Sequence, residues 1–214
     1  MKHVLAFGDS LTWGANAATG VRHGFEDIWP NAFQNELGEQ VHVYAEGLNG
    51  RTTMFDDYSS PTDRNGTRVL PTLLATHEPL DLVIIVLGTN DMKPHVCGNS
   101  SGSAQGIKRL IQITKSFEYN DAHAAPEILV VSPPLTVERG DSFAGDQFEG
   151  SIELSKEYAE KYQEICVEQG VSFFDAATVV VADAATDGIH MDAENTRALG
   201  ETLALIAREI LSLD

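Results

Sequence analysis

Positive charge is scarce in this chain: 14 lysines and arginines stand against 32 aspartates and glutamates, for a formal net charge of -18. A nucleic-acid binder needs a basic patch on which phosphates can settle, and no stretch supplies one. The same deficit works against anionic membrane surfaces and strongly anionic substrates. Cysteine is nearly absent, and Cys97 and Cys166 make neither a disulfide framework nor a metal cluster. No apolar run approaches the length needed to cross a bilayer. Residues 1–20 lack the basic and apolar regions of a signal peptide, so a cytoplasmic location is the default expectation.

What is present suits a soluble globular protein. With 43% hydrophobic and 21% charged residues, 214 residues are enough for one domain, 1–214, built on a single core. Val4-Leu5-Ala6-Phe7 is a short apolar run that meets Gly8-Asp9-Ser10-Leu11 at once. Leu82–Leu87 is six apolar residues ending in Gly88-Thr89-Asn90-Asp91. Such runs bounded by turn formers are what central parallel strands look like when helices cover both faces. Further strands are expected at 41–45, 128–131 and 171–175. Helices are expected at 25–38, 67–76, 104–117, 151–169 and 192–211 from their apolar periodicity, with Pro30 early in the first and glycines closing several. Residues 94–102 and 135–150 read as loops, the second shaping a pocket or an interface or else lying mobile on the surface. Alternating strands and helices argue a doubly wound α/β/α domain with five parallel strands. Right-handed crossovers bring the strands' C-terminal ends to one edge, so Ser10, Gly50, Asn90 and the Asp187/His190 pair converge there.

These residue types suit acyl transfer. A serine hydroxyl is a poor nucleophile at neutral pH and needs a base within hydrogen-bond reach, which an imidazole can provide. His190 is the natural base, and Asp187, three residues earlier across Gly188, can orient its ring. Negative charge developing on an ester carbonyl needs donors; the Ser10 N–H, the Gly50 N–H and the Asn90 side-chain amide are the candidates. Each has a plainer alternative. Asp9 and Ser10 can simply cap a helix, and Asn90 can bond its own turn.

The blocks Gly8-Asp9-Ser10-Leu11, Gly47-Leu48-Asn49-Gly50-Arg51-Thr52-Thr53, Gly88-Thr89-Asn90-Asp91 and Asp187-Gly188-Ile189-His190 resemble, in order, the four blocks of the SGNH (GDSL) hydrolases. The resemblance implies a flavodoxin-like three-layer α/β/α sandwich. It also implies Ser10 as nucleophile, Asp187 and His190 as its partners, and Ser10, Gly50 and Asn90 as the oxyanion hole. The opening Gly-Asp-Ser-Leu-Thr-Trp-Gly turn is similar to that of the bacterial arylesterase and acyltransferase branch. By that likeness the substrate is a small-molecule ester with a short acyl group, and alcohols or peroxide can replace water as acceptor. No cofactor or metal is called for. The chain assembles with copies of itself, octamers being the known case in that branch. Asp9, Leu11 and Trp13, flanking the serine, are expected to wall the substrate pocket, with Trp13 either crowding the acyl group or packing helix on sheet.

Branches acting on acetylated sugars or lysophospholipids share the same blocks. Two readings of other kinds compete. An aspartyl phosphotransferase using Asp9 usually needs a second carboxylate where Leu11 stands. A non-catalytic flavodoxin-like binding protein leaves Asp187 and His190 without a task. Asp183, Asp187, His190 and Asp192 also invite a metal reading, but their spacing fits no familiar geometry.

Overall fold

The computed structural model describes residues 1–120, 123–139 and 146–213. Among the described residues seven strands and six α-helices follow one another: β1 (Lys2–Gly8), α1 (Ser10–Trp13), β2 (Ala15–Asn16), β3 (Val21–Arg22), α2 (Trp29–Leu37), β4 (Val41–Gly47), α3 (Gly66–His77), β5 (Leu82–Val86), α4 (Ser100–Ser116), β6 (Glu127–Ser132), α5 (Ser151–Gln169), β7 (Ser172–Asp175) and α6 (Ala193–Leu211). Five strands form one sheet in the order β4-β1-β5-β6-β7, all neighbours parallel. This is the three-layer α/β/α sandwich the sequence implies. Among the described residues no helix is long and apolar enough to cross a membrane.

Each central strand alternates between two cores. Val4, Ala6, Leu82, Ile84 and Val86 point towards α2 and α6, against Trp29, Phe33, Leu199 and Leu203. Leu5, Phe7, Val83, Ile85 and Leu87 point towards α3, α4 and α5, against Leu70, Leu74, Ile107, Leu110, Tyr158 and Tyr162. A continuous apolar run is therefore required in β1 and β5, because neither face has a polar side. At about 1.5–3 kcal/mol for each fully buried large side chain, these runs fix both the register and the positions of the strand ends.

Several boundaries depart from expectation. The helix expected at 25–38 begins only at Trp29, with a 3-10 turn at Phe25–Asp27 before it. Pro30 has no N–H to bond the fourth residue before it, so it must lie in the first turn. Phe25, where the expected helix would have begun, is 70% exposed. The expected loop 94–102 gives up its end to α4, because the Asn99 side chain accepts the Gly102 N–H and starts the helix at Ser100. The stretch 135–150 holds a 3-10 turn at Asp146–Phe148, while Phe143 lies outside the described residues. Residues 179–183 are irregular, with Val180 and Ala182 buried and Val179 and Val181 exposed. The two-residue hairpin β2–β3 carries no sequence signal of its own.

Candidate active site

The chain leaves the sheet at Gly8 and turns directly into α1. The Asp9 carboxylate accepts the Leu11 N–H at 2.9 Å and caps this single turn, while the Asp9 and Ser10 carbonyls accept the Trp13 and Gly14 N–H groups. Ser10 is thus fixed at the C-terminal end of a central strand, where open α/β sheets hold their ligands. Its Oγ lies 2.8 Å from His190 Nε2, and His190 Nδ1 lies 2.7 Å from Asp187 Oδ2. A carboxylate only accepts, so Nδ1 carries the proton and Nε2 presents its lone pair to the serine hydroxyl. Asp187 Oδ1 also accepts the backbone N–H groups of Ile189 and His190, both at 2.9 Å. Burial works to raise the Asp187 carboxyl, but the His190 ring and these N–H groups outweigh it and hold it at about 2. Gly188, at φ +69, lets the chain double back between the two residues, and a Cβ there would run into the Val137 carbonyl.

Across the nucleophile lie the candidate donors. Gly50 is buried at φ +82 with the Arg64 guanidinium packed where a Cβ would stand, and among the described residues no protein acceptor takes its N–H. The Asn90 amide nitrogen is 3.1 Å from the Arg51 carbonyl and 3.4 Å from Asp9 Oδ2. The first contact occupies one hydrogen. The second is too long to hold the other firmly, which leaves one N–H free to turn to a ligand. Beside it, Asp91 is fully buried and accepts from the Thr53 N–H at 2.9 Å, from the Thr53 hydroxyl and from the Ser103 hydroxyl at 2.7 Å. Burial pushes its carboxyl up to about 6 against the pull of those donors. Ser103 in turn accepts from the Tyr162 hydroxyl at 2.6 Å, whose oxygen also lies 3.2 Å from the Leu87 carbonyl. Arg51 lies over the Phe7 ring and donates to the Gly8 and Glu46 carbonyls, and burial lowers its guanidinium to about 10 against the Glu46 and Asp9 charges.

Ser10, Asp187 and His190 are therefore brought into one hydrogen-bonded line, with Gly50 and Asn90 on turns of the same edge. The three pocket residues divide. Asp9 has no exposed surface, and Leu11, 3% exposed, packs in the core with Trp29 and Met191. Both stand behind the serine as cap and packing, not as an open wall. Trp13 keeps some surface, with the Arg22 guanidinium 4.4 Å from its ring centre. A buried Asp9 is also out of reach of a phosphoryl group, which removes the phosphotransferase alternative. Among the described residues no group of three or more His, Cys, Asp or Glu could hold a metal ion; Asp183 and Asp192 instead accept the Ala185 and Asn195 N–H groups. Sequence reasoning missed the roles of Arg51, Thr53, Asp91, Ser103 and Tyr162. Thr53 and Asp91 stood inside two of the polar blocks, which was a usable signal. Ser103 and Tyr162 gave none.

Residues 6–198 match the GDSL-like lipase/acylhydrolase family. No curated protein matches the chain. Among solved structures, a carbohydrate acetylesterase family member from Sinorhizobium meliloti is 46% identical, with all of both chains covered and a TM-score of 0.96. The native aryl esterase of M. smegmatis is 38% identical over 98% of this chain and 100% of its own, with a TM-score of 0.92. A second carbohydrate acetylesterase from Sinorhizobium meliloti is 36% identical over 98% and 100%, at 0.91.

Proposed function

Because the chain belongs to the GDSL-like lipase/acylhydrolase family and is a serine-type carboxylic ester hydrolase, we propose that Ser10 is its nucleophile, His190 its general base and Asp187 the group that orients the base. The observation that carries this reading is the unbroken line from Ser10 Oγ through the His190 ring to Asp187, at 2.8 and 2.7 Å. As the Ser10 hydroxyl attacks the ester carbonyl, its proton passes to His190 Nε2. The imidazolium is stabilised by an Asp187 carboxylate that stays ionised, and the carbonyl oxygen becomes an oxyanion. The Ser10 N–H, the Gly50 N–H and the free Asn90 N–H receive that charge. Collapse of the tetrahedral species hands the proton to the departing alcohol or phenol. Water, or a second alcohol, then releases the acyl group with His190 again as base.

The substrate is a short-chain acyl or aryl ester. The likeness to a carbohydrate acetylesterase and an aryl esterase over nearly the whole chain supports this. The p-nitrophenyl series from acetate to octanoate, run beside an acetylated sugar, tests it. Highest kcat/KM is expected at acetate, and a maximum at octanoate would contradict the short-chain reading. The same single domain assembles as a homo-oligomer, up to the octamer implied by the arylesterase resemblance. Val21, Phe25 and Tyr58, exposed at 60%, 70% and 90%, give such an assembly apolar surface to cover. Light scattering distinguishes it from a monomer.

A further inference from the structure

Lys93 is the most anomalous charged group near the site. Lysines are almost never buried without a carboxylate partner, yet Lys93 is 6% exposed, and among the described residues no carboxylate stands within ion-pair distance of its amine. Asp57, the acid nearest in charge interaction, is already held by Arg64 at 2.6 Å and by the N–H and hydroxyl of Ser59. The Lys93 amine instead lies over the Phe148 ring, 5.2 Å from its centre, a contact that offers its N–H groups no acceptor, and the nitrogen is not sealed from solvent.

Its position is informative. Lys93 closes the 3-10 turn Thr89–Met92 that carries Asn90, its N–H bonded to the Asn90 carbonyl at 3.3 Å. On the far side, Phe148 lines a cavity of about 600 Å³ together with Asp187 and Ile189. The ammonium therefore lies against a ring that walls the cavity bordering the Asp187–His190 loop, on a residue three positions after Asn90. Burial holds the amine below the usual lysine range, with Asp57 and Asp9 opposing that effect and Arg64 adding to it.

We propose that Lys93 is a substrate-binding residue whose ammonium donates to a second oxygen function of the ester, a hydroxyl or a carboxylate carried beyond the reacting carbonyl. The proposal rests on the assignment of the Ser10 site as the ester-hydrolysing centre. A ligand oxygen supplies what the protein leaves out: a hydrogen-bond acceptor for a cation that otherwise only solvent reaches. In a chain of net charge -18, a cation held in this place selects for oxygen-bearing esters over purely apolar ones.

The test compares wild type, Lys93→Met and Lys93→Arg on three acetates: phenyl acetate, 4-acetoxybenzoate and a mono-acetylated methyl glucoside. The readout is the ratio of kcat/KM for each oxygen-bearing ester to that for phenyl acetate, which is insensitive to the active fraction of a poorly folding variant. In Lys93→Met the ratio is expected to fall by about tenfold or more for at least one of the two, mainly through KM, with Lys93→Arg recovering most of the loss. The ester affected identifies the oxygen, carboxylate or hydroxyl. Ratios within about twofold of wild type for both esters overturn the role of Lys93. Failure of the wild type to hydrolyse phenyl acetate would instead overturn the esterase reading itself, so the two failures are distinct.

Discussion

The turn that carries Asn90 and the loop that carries His190 meet at Ser10 but are held in different ways. Behind Asn90, Asp91 is fully buried and ties α4 and the 49–65 segment to the end of β5 through Ser103 and Thr53, with Tyr162 of α5 closing the chain of bonds. The base loop is lighter. The side chains of His190 and Asp187 are 21% and 15% exposed, and among the described residues the bonds that shape the loop are mostly local, the longer ones joining Val137 to Gly188 at 3.0 Å, His23 to Met191 at 3.1 Å and His190 to Ser10. The contrast follows the chemistry. Oxyanion donors act only if already aimed when charge develops, since reorganisation at that moment forfeits the gain. A base must trade a proton with substrate and water in every turnover, and some exposure serves that exchange.

The largest effects should erase the contrast, because both sides act on one reaction. Ser10→Ala and His190→Ala are each expected to cut ester kcat by about 10⁴-fold or more, and the double variant to be no worse than either single one. Multiplying losses in steady-state kinetics would mean that the two residues do not work as a unit. Next, Asn90→Ala should lower kcat by about 10²–10³ with little change in KM; an unaltered kcat removes it from the oxyanion hole.

Stability sharpens the comparison further. Asp91→Ala strands three buried donors and should cost about 3 kcal/mol or more, whereas Asp187→Ala, at a partly exposed loop, should cost less. Urea denaturation checks this, and equal losses would end the distinction between a locked side and a light one. The smallest effect concerns pH. Burial raises the Asp9 carboxyl to about 6, against about 4 in an unfolded chain. Between those values the folded protein keeps a proton that the unfolded chain has released, so stability falls as pH rises from 4 through 6. Asp9→Asn keeps a cap for Leu11 and removes this contribution. The slope of urea midpoint against pH should then be roughly halved, because Asp91, also raised to about 6, retains its share. An unchanged slope would show Asp9 to be ionised in the folded state.

The sheet was legible because its strands have no polar face: Leu82–Val86 and Val4–Phe7 can be buried on both sides and nowhere else. The residues that deliver chemistry were legible for a related reason, each following such a run at a turn. The network behind Asn90 was not. Ser103 and Tyr162 lie 59 residues apart, and a hydrogen bond across that distance leaves no period in the sequence. Lys93 was hidden in the same way, as one charge after a turn, and Asp9 and Leu11 looked like pocket walls because neighbours of a nucleophile in sequence need not share its exposure. Ser100, Ser101 and Gly102, which open α4, read as loop because nothing in the residue pattern marks Asn99 as their cap.

The central claim is that one hydroxyl, activated by His190, carries the reaction. A fluorophosphonate should label the protein once, on the tryptic peptide that contains Ser10, with ester turnover lost in proportion to labelling and labelling greatly slowed in His190→Ala. Full labelling at another residue, or turnover that survives complete modification of Ser10, would contradict it.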